Sequence, residues 1–181
     1  METATKNLEN DHVNILRLID VMEIITGTDN PDVDNLQIIV DLIRNYADGF
    51  HHEKEEQLLF PLMAEKGFSP QQGPIAVMLS EHVQGRNFVK GISEGIRKYR
   101  QGDKGAVNLI YENMLGYAGL LRNHIAKENN VLFRMADNVL SEADQQHLLK
   151  EFSKVEKSNV CGGILADCIA SIEKLERIYK H

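Results

Sequence analysis

The 181-residue sequence has no tryptophan, only two cysteines and four prolines, and a net charge of −7. The deficit of basic residues argues against a nucleic-acid-binding protein, because neutralising phosphates requires a basic face. It equally argues against adhesion to anionic lipid. No apolar run approaches the ~20 residues of a membrane span, and the best run, residues 38–40, ends at Asp41. The first residues are polar and show no secretory signal. We therefore expect a cytoplasmic protein that associates with neither membranes nor nucleic acid.

The two cysteines, Cys161 and Cys168, are seven positions apart. On one helix this spacing corresponds to two turns, about 10 Å, which is too far for an undistorted disulfide. No Cys-x-x-Cys motif is present. We therefore interpret both cysteines as reduced residues that pack in the interior.

Glycine and proline are concentrated in a few turns, and the segments between the turns are too long to be strands. Apolar residues in these segments recur at helical spacing, as in Leu36, Val40, Ile43 and Ala47. Helices are predicted over residues 7–26, 33–66, 74–101 and 104–137. Because short connections make consecutive helices antiparallel, the predicted fold is all-α, an up-down-up-down four-helix bundle.

A further helical segment is predicted over residues 141–180, beginning with a Ser141-x-x-Asp144 capping pattern and broken at residues 161–163. We divide the chain into a bundle domain, residues 1–140, and a C-terminal segment, residues 141–181. The segment is expected to pack on its own bundle or in a homodimer interface. If it docked another partner instead, its apolar side chains would form an exposed stripe. That stripe would include Leu148, Phe152, Ile172 and Leu175.

Five glycines interrupt the third and fourth predicted helices, although each costs up to ~1 kcal/mol relative to alanine in a helix. They are expected to mark close contact between helices, or else to leave space for a ligand. These residues are Gly85, Gly91, Gly95, Gly116 and Gly119.

The chain also repeats itself. The pattern His-x-x-Lys-Glu-x-x-x-Leu-Phe occurs at residues 51–60 and again at 124–133. An acidic residue and a histidine precede each copy, at residues 11–12 and 81–82. The repeated unit is therefore a helix with one histidine followed by a helix with His-x-x-x-Glu.

Residues four apart lie on one face of a helix, so the histidine and glutamate of each copy point at the same interior region. These faces also carry leucine, isoleucine and alanine, which places the polar pairs in the core. Buried carboxylates need a counter-charge, and two divalent cations bridged by the two glutamates would supply it. Nitrogen and oxygen ligands without thiolate suit iron, manganese or zinc, and open coordination positions indicate reactivity. The predicted ligands are His12, His51, Glu55, His82, His124 and Glu128.

Alternatives remain at this point. Hydrogen-bonded His–Glu pairs without a metal would also satisfy these residues. His52 and Glu56 form an overlapping pair rotated by ~100°, which we interpret as half-exposed support for the ligands, so that removing His52 would cost little metal. Lys54 and Lys127 are expected to extend their charges to solvent. A ferritin-type site is disfavoured, because residues 9–12 hold the only Glu-x-x-His in the chain.

These motifs resemble the hemerythrin-like family, also called the His-His-Glu cation-binding domain, over about residues 8–137. The resemblance implies a four-helix bundle around a non-haem di-iron centre, in which two iron ions are joined by carboxylates and an oxo or hydroxo bridge. Zinc or manganese would also suit the ligands. Matching position by position, the resemblance implies the same six ligands.

The sequence departs from the oxygen-carrying hemerythrins at two places. Those proteins have a second histidine one turn after the third-helix histidine and an aspartate in the last motif, where this chain has Arg86 and Glu128. The resulting set of four histidines and two glutamates resembles the bacterial branch, which is associated with oxygen or nitric-oxide handling, peroxide chemistry, iron sensing and iron–sulfur repair. Repair members carry an N-terminal cysteine-containing segment that we do not find here, and this departure argues against the repair role.

Three functions are therefore considered. The first is a protein that binds, senses or scavenges dioxygen, nitric oxide or peroxide. The second is a di-iron peroxidase or nitric-oxide-reducing enzyme, which would need an external reductant because no flavin or haem motif is present. The third is an iron-handling or interaction module with a structural metal.

Overall fold

The computed structural model of the protein describes residues 2–157 and 165–180, and all regular structure in those ranges is helical. The prediction of an all-α fold is thereby confirmed. The bundle consists of α1 (Ala4–Ile25), α2 (residues 33–65), α3 (Gly73–Arg100) and α4 (residues 106–139). Each helix contacts the next, and α4 returns to contact α1, which closes an up-down-up-down ring. Two more helices follow, α5 (Glu142–Glu156) and α6 (Leu165–Tyr179).

The helix ends follow from local chemistry. Asp32 begins α2 by accepting hydrogen bonds from two backbone amides of the first turn, as an N-cap aspartate does. Ser141 and Asp144 form the predicted capping box at the start of α5. Gly67 and Gly102 have positive φ angles of 101° and 100° in the turns after α2 and α3, a conformation that favours glycine.

Helices α2 and α4 are not regular α-helices throughout, and no sequence pattern predicted this. Helix α2 contains π-helical segments at Ile43–His52 and Glu55–Leu59, and α4 contains one at Glu128–Leu132. The amide of Phe60 donates to the carbonyl of Glu55, and the amide of Phe133 donates to the carbonyl of Glu128. One π turn therefore begins at the glutamate of each repeat, and such turns are frequent at functional sites.

The buried apolar side chains form two clusters that divide each bundle helix in two. On α2, Phe50 belongs to one cluster and Leu59 to the other, and on α3 Val89 and Met78 are divided in the same way. The histidines and glutamates of the repeats lie between these positions in the sequence of each helix. They consequently form a polar layer enclosed by apolar packing at both ends.

Three of the five glycines mark close contact between α3 and α4. A Cβ at Gly95 would come within 2.6 Å of Ile110, and side chains would be still closer at Gly91 and Gly116. Gly119 has no atom within 4 Å of a Cβ position, so the expectation of close contact is wrong there.

Helices α5 and α6 pack on the bundle: both contact α1, and each also contacts α2. Leu148, Phe152, Ile172 and Leu175 are buried, so these residues do not form the exposed stripe expected of a docking segment. The predicted break at residues 161–163 lies outside the described residues. In residues 2–157 and 165–180, no helix has the combination of length and hydropathy that a membrane crossing demands.

The interpretation of both cysteines as reduced is wrong for Cys168. Its side chain is fully buried, and its sulfur is in a disulfide rather than a free thiol. The expectation of two reduced packing residues came from the distance of about 10 Å that a seven-residue spacing gives on one helix. Cys161, the other cysteine of the chain, lies outside the described residues.

Candidate metal centre

Seven side chains meet in the polar layer as two groups, in each of which the potential ligand atoms all lie within 4.8 Å of one another. The His12–His51 group consists of His12, His51, Glu55 and Glu128. The His82–His124 group consists of His52, Glu55, His82 and His124. All seven residues are buried. The structure thus brings the six predicted ligands together and adds His52 to them.

The two glutamates connect the groups. The Oε1 atom of Glu55 lies 3.7 Å from Nε2 of His51, and its Oε2 atom lies 3.5 Å from Nε2 of His82. The Oε2 atom of Glu128 lies 3.2 Å from Nε2 of His12, and its Oε1 atom lies 3.1 Å from Nε2 of His124. Each carboxylate therefore directs one oxygen towards each group, which is the arrangement required to bridge two cations.

Each of the five imidazoles has its Nδ1 atom against an oxygen. His51 and His124 face Asp11 and Glu81 at 3.2 and 2.9 Å. The other three Nδ1 contacts, at 2.7, 2.7 and 3.2 Å, are His12 to Asn129, His82 to Glu56 and His52 to Asp48. Ionised carboxylates and amide oxygens only accept hydrogen bonds, so each Nδ1 carries the proton and donates. The Nε2 atoms then present lone pairs to the interior.

The interior of the site consequently consists of acceptors. The Nε2 atoms of His12 and His51 are 3.0 Å apart, and those of His82 and His124 are 3.2 Å apart. Among residues 2–157 and 165–180, Nε2 of His52 and all four oxygens of Glu55 and Glu128 have no hydrogen-bond partner. Buried acceptors facing one another are strongly unfavourable unless something positive lies between them. The donor set therefore fits metal cations, and the outward hydrogen bonds are those that metal-binding histidines make.

The electrostatics support the same fit. Burial, reinforced by repulsion from Glu128, raises the pKa of Glu55 well above its ordinary value. Burial lowers the pKa of His51, and it lowers that of His52 to about 3. Neutral imidazoles are the form that binds metals, and a cation would offset the buried carboxylates.

The prediction that His52 is half-exposed is wrong. This residue is only 5% exposed, and its ring stacks on that of His82 with centroids 3.8 Å apart. The expected 100° rotation from His51 holds for a regular α-helix. Residues 43–52 are π-helical, and the wider π turn reduces the angle between neighbours. Asp48, four positions earlier, was the available signal, since its carboxylate accepts from His52.

Lys54 also departs from the expectation. Its side chain is fully buried, and its ammonium group donates to Asp11 at 2.5 Å and to Asn7 at 2.8 Å. It lies 4.2 Å from the centre of the Phe50 ring. Lys127, at the matching position of the other repeat, contacts Glu81 but keeps 41% of its side chain exposed. The expectation of an exposed charge is thus wrong for Lys54 because two helices enclose it.

A protein-family model described as the hemerythrin HHE cation binding domain matches residues 3–136. The uncharacterized protein Rv1995 of Mycobacterium tuberculosis is 22% identical over 184 aligned residues, covering 98% of this chain and 71% of the relative. The iron-sulfur cluster repair protein YtfE of Escherichia coli O157:H7 is 33% identical over 88 residues, covering 48% of this chain and 40% of that protein. No solved structure matches the chain significantly.

Proposed function

The chain belongs to the family of hemerythrin HHE cation-binding domains, and from that premise we propose that it is a non-haem di-iron protein that binds, senses or scavenges dioxygen, nitric oxide or peroxide. The observation that carries the proposal is the set of nine inward-facing acceptors, five imidazole nitrogens and four carboxylate oxygens. Two cations are the simplest occupants that satisfy all of them.

The two groups divide the ligands between the cations. One cation would be held by His12 and His51, and the other by His52, His82 and His124. Glu55 and Glu128 would connect them. Iron is favoured by the family and suits this nitrogen and oxygen set, as manganese and zinc also do.

The bound iron and the protein side chains would have different roles. Bound iron would supply a redox-active centre with an open position for a small exogenous ligand. Four carboxylates and the amide oxygen of Asn129 accept the Nδ1 protons of the imidazoles, which fixes the tautomer and makes Nε2 a better donor to a metal. The apolar clusters at both ends of the polar layer lower the local dielectric constant and so strengthen electrostatic interactions within the layer.

A di-iron enzyme that reduces peroxide or nitric oxide is the second candidate. It is favoured by a cavity that reaches His52 and His82 from solvent-accessible Arg86, because turnover requires a route for substrate and product. Such an enzyme would draw electrons from an external reductant. The partial similarity to an iron–sulfur repair protein makes iron handling a further outcome to test.

The test is elemental analysis of freshly purified protein together with optical spectra before and after reduction. We expect two irons per chain and ligand-to-iron charge-transfer bands that disappear on reduction. Multiple turnover with peroxide and an added reductant would favour the enzyme over the binding protein. Protein that retains no metal after purification and reconstitution with iron would contradict both.

A further inference from the structure

A cavity of about 120 Å³ lies between α2, α3 and α4, against one side of the candidate metal centre. Its inner wall includes His52 and His82, and Nε2 of His52 has no hydrogen-bond partner in the described part of the chain. This space would accommodate several water molecules or one small ligand. An occupant of the cavity would therefore lie beside the His82–His124 group.

Arg86 forms the polar rim of this cavity. Its Nε atom donates to both carboxylate oxygens of Asp48, at 2.9 and 3.1 Å, and its Nη2 atom donates to Glu56 at 2.7 Å. These two carboxylates also accept the Nδ1 protons of His52 and His82. Because 42% of its side chain is exposed, Arg86 connects the solvent boundary to both imidazoles.

The lining is cationic although the whole chain is acidic. Arg44, Arg86 and Lys90 line the cavity, against the single carboxylate of Asp48. Tyr117 is also in the wall and buried, and none of the hydrogen bonds found among the described residues involves its hydroxyl group. A concave site with cations and a spare donor attracts anions.

The other repeat offers no equivalent lining. The positions that match Asp48, His52 and Arg86 are occupied by Leu121, Ile125 and Leu16. Leu121 and Ile125 are both 3% exposed and belong to the apolar core. The polar access route is therefore a property of one side of the centre.

We propose that this cavity admits a small monovalent anion to the His82–His124 group, and that Arg86 selects the ligand by its charge. The inference rests on the proposed metal pair, since the anion would complete the coordination of a cation there. Arg86 would then determine ligand specificity, at the position where oxygen-carrying hemerythrins have a histidine.

The experiment titrates the iron(III)-loaded protein with azide and follows the azide-to-iron absorption band. Arg86→Gln should weaken azide binding at least tenfold, about 1.4 kcal/mol. Arg86→Lys should weaken it by less, because it keeps the positive charge but loses the planar group that bonds Asp48 and Glu56 together. Arg122→Gln is the matched control, since Arg122 also bonds two carboxylates and is 39% exposed. Uncharged nitric oxide should bind the reduced Arg86→Gln protein as well as it binds the wild type.

The outcomes separate the two levels of the hypothesis. Wild-type protein without bound iron would refute the proposed function. Fully loaded Arg86→Gln protein with unchanged azide affinity, or with azide and nitric oxide weakened equally, would overturn the inference alone. Should Arg86→Gln fail to load iron, Lys90→Gln becomes the decisive variant, because Lys90 lines the cavity and is not among the candidate ligands. Azide binding weakened threefold there supports charge selection, and unchanged binding overturns it.

Discussion

The two repeats build the same ligand scheme in different surroundings. In each, an acidic residue of the first helix accepts the Nδ1 proton of the histidine on the second, as Asp11 does for His51 and Glu81 for His124. The matched lysines contact those same acids. Glu56 and Asn129 are 73 positions apart, as His51 and His124 are. Each accepts the Nδ1 proton of the first-helix histidine of the other repeat, Glu56 from His82 and Asn129 from His12.

The surroundings of the two groups differ in access to water. The His12–His51 side is closed, because Lys54 is enclosed by Asp11 and Asn7, and α5 adds Glu156 at 3.7 Å. The His82–His124 side carries the additional His52 and borders the cavity with Arg86. A repeated pattern can thus produce one enclosed and one accessible group of candidate ligands.

Glu55→Gln should have the largest effect, because Glu55 contributes a potential ligand atom to each of the two groups. A neutral amide is a poor bridge between cations, so we expect fewer than one metal per chain by elemental analysis. The metal-free variant should unfold at a temperature no lower than the metal-free wild type, since it buries no uncompensated carboxylate. Glu53→Gln, at an exposed position of the same helix, should keep both metals. Retention of two metals by Glu55→Gln would remove the basis for a bridged pair.

His52→Ile tests the asymmetry directly, because it installs the residue found at the matching position, Ile125. If His52 binds metal, the content should fall from two ions towards one per chain, or the affinity for the second ion should fall by roughly tenfold or more. His147→Ile, on the exposed surface of α5, provides the control. Two ions retained at unchanged affinity would return His52 to a packing role.

Lys54→Met and Lys127→Met compare the closed and open sides. Removing the buried ammonium leaves Asp11 without its cation, so we expect a loss of about 3 kcal/mol in the free energy of unfolding. The same change at the partly exposed Lys127 should cost less than about 1 kcal/mol. Urea unfolding of the metal-free proteins measures both. Equal losses would mean that the two sides are alike in burial despite the positions of these lysines.

Much of this architecture could be predicted because it depends on local patterns. Turn residues bounded the helices, and the i, i+4 spacing placed His51 and Glu55 on one face. The π turns could not be predicted, because tertiary packing sets the hydrogen-bond register and no residue pattern marked it. The orientation of His52 depends on these turns and could therefore not be predicted either. The burial of Lys54 depends on Asp11, Asn7 and a helix about a hundred residues later in the chain, so periodicity alone could not indicate it.

Alanine substitutions at two glycines test how tightly the bundle helices pack at these positions. Helix α1 contains no glycine, whereas α3 and α4 approach each other closely at Gly95, where a Cβ would come within 2.6 Å of buried Ile110. Gly95→Ala should therefore destabilise the metal-free protein by about 1–3 kcal/mol, as overpacking does. Gly119→Ala meets no atom within 4 Å and should stabilise it by up to about 1 kcal/mol, because alanine is the better helix former. Urea unfolding measures whether each substitution raises or lowers the free energy of unfolding. A stabilised Gly95→Ala protein would show that α3 and α4 can separate without cost.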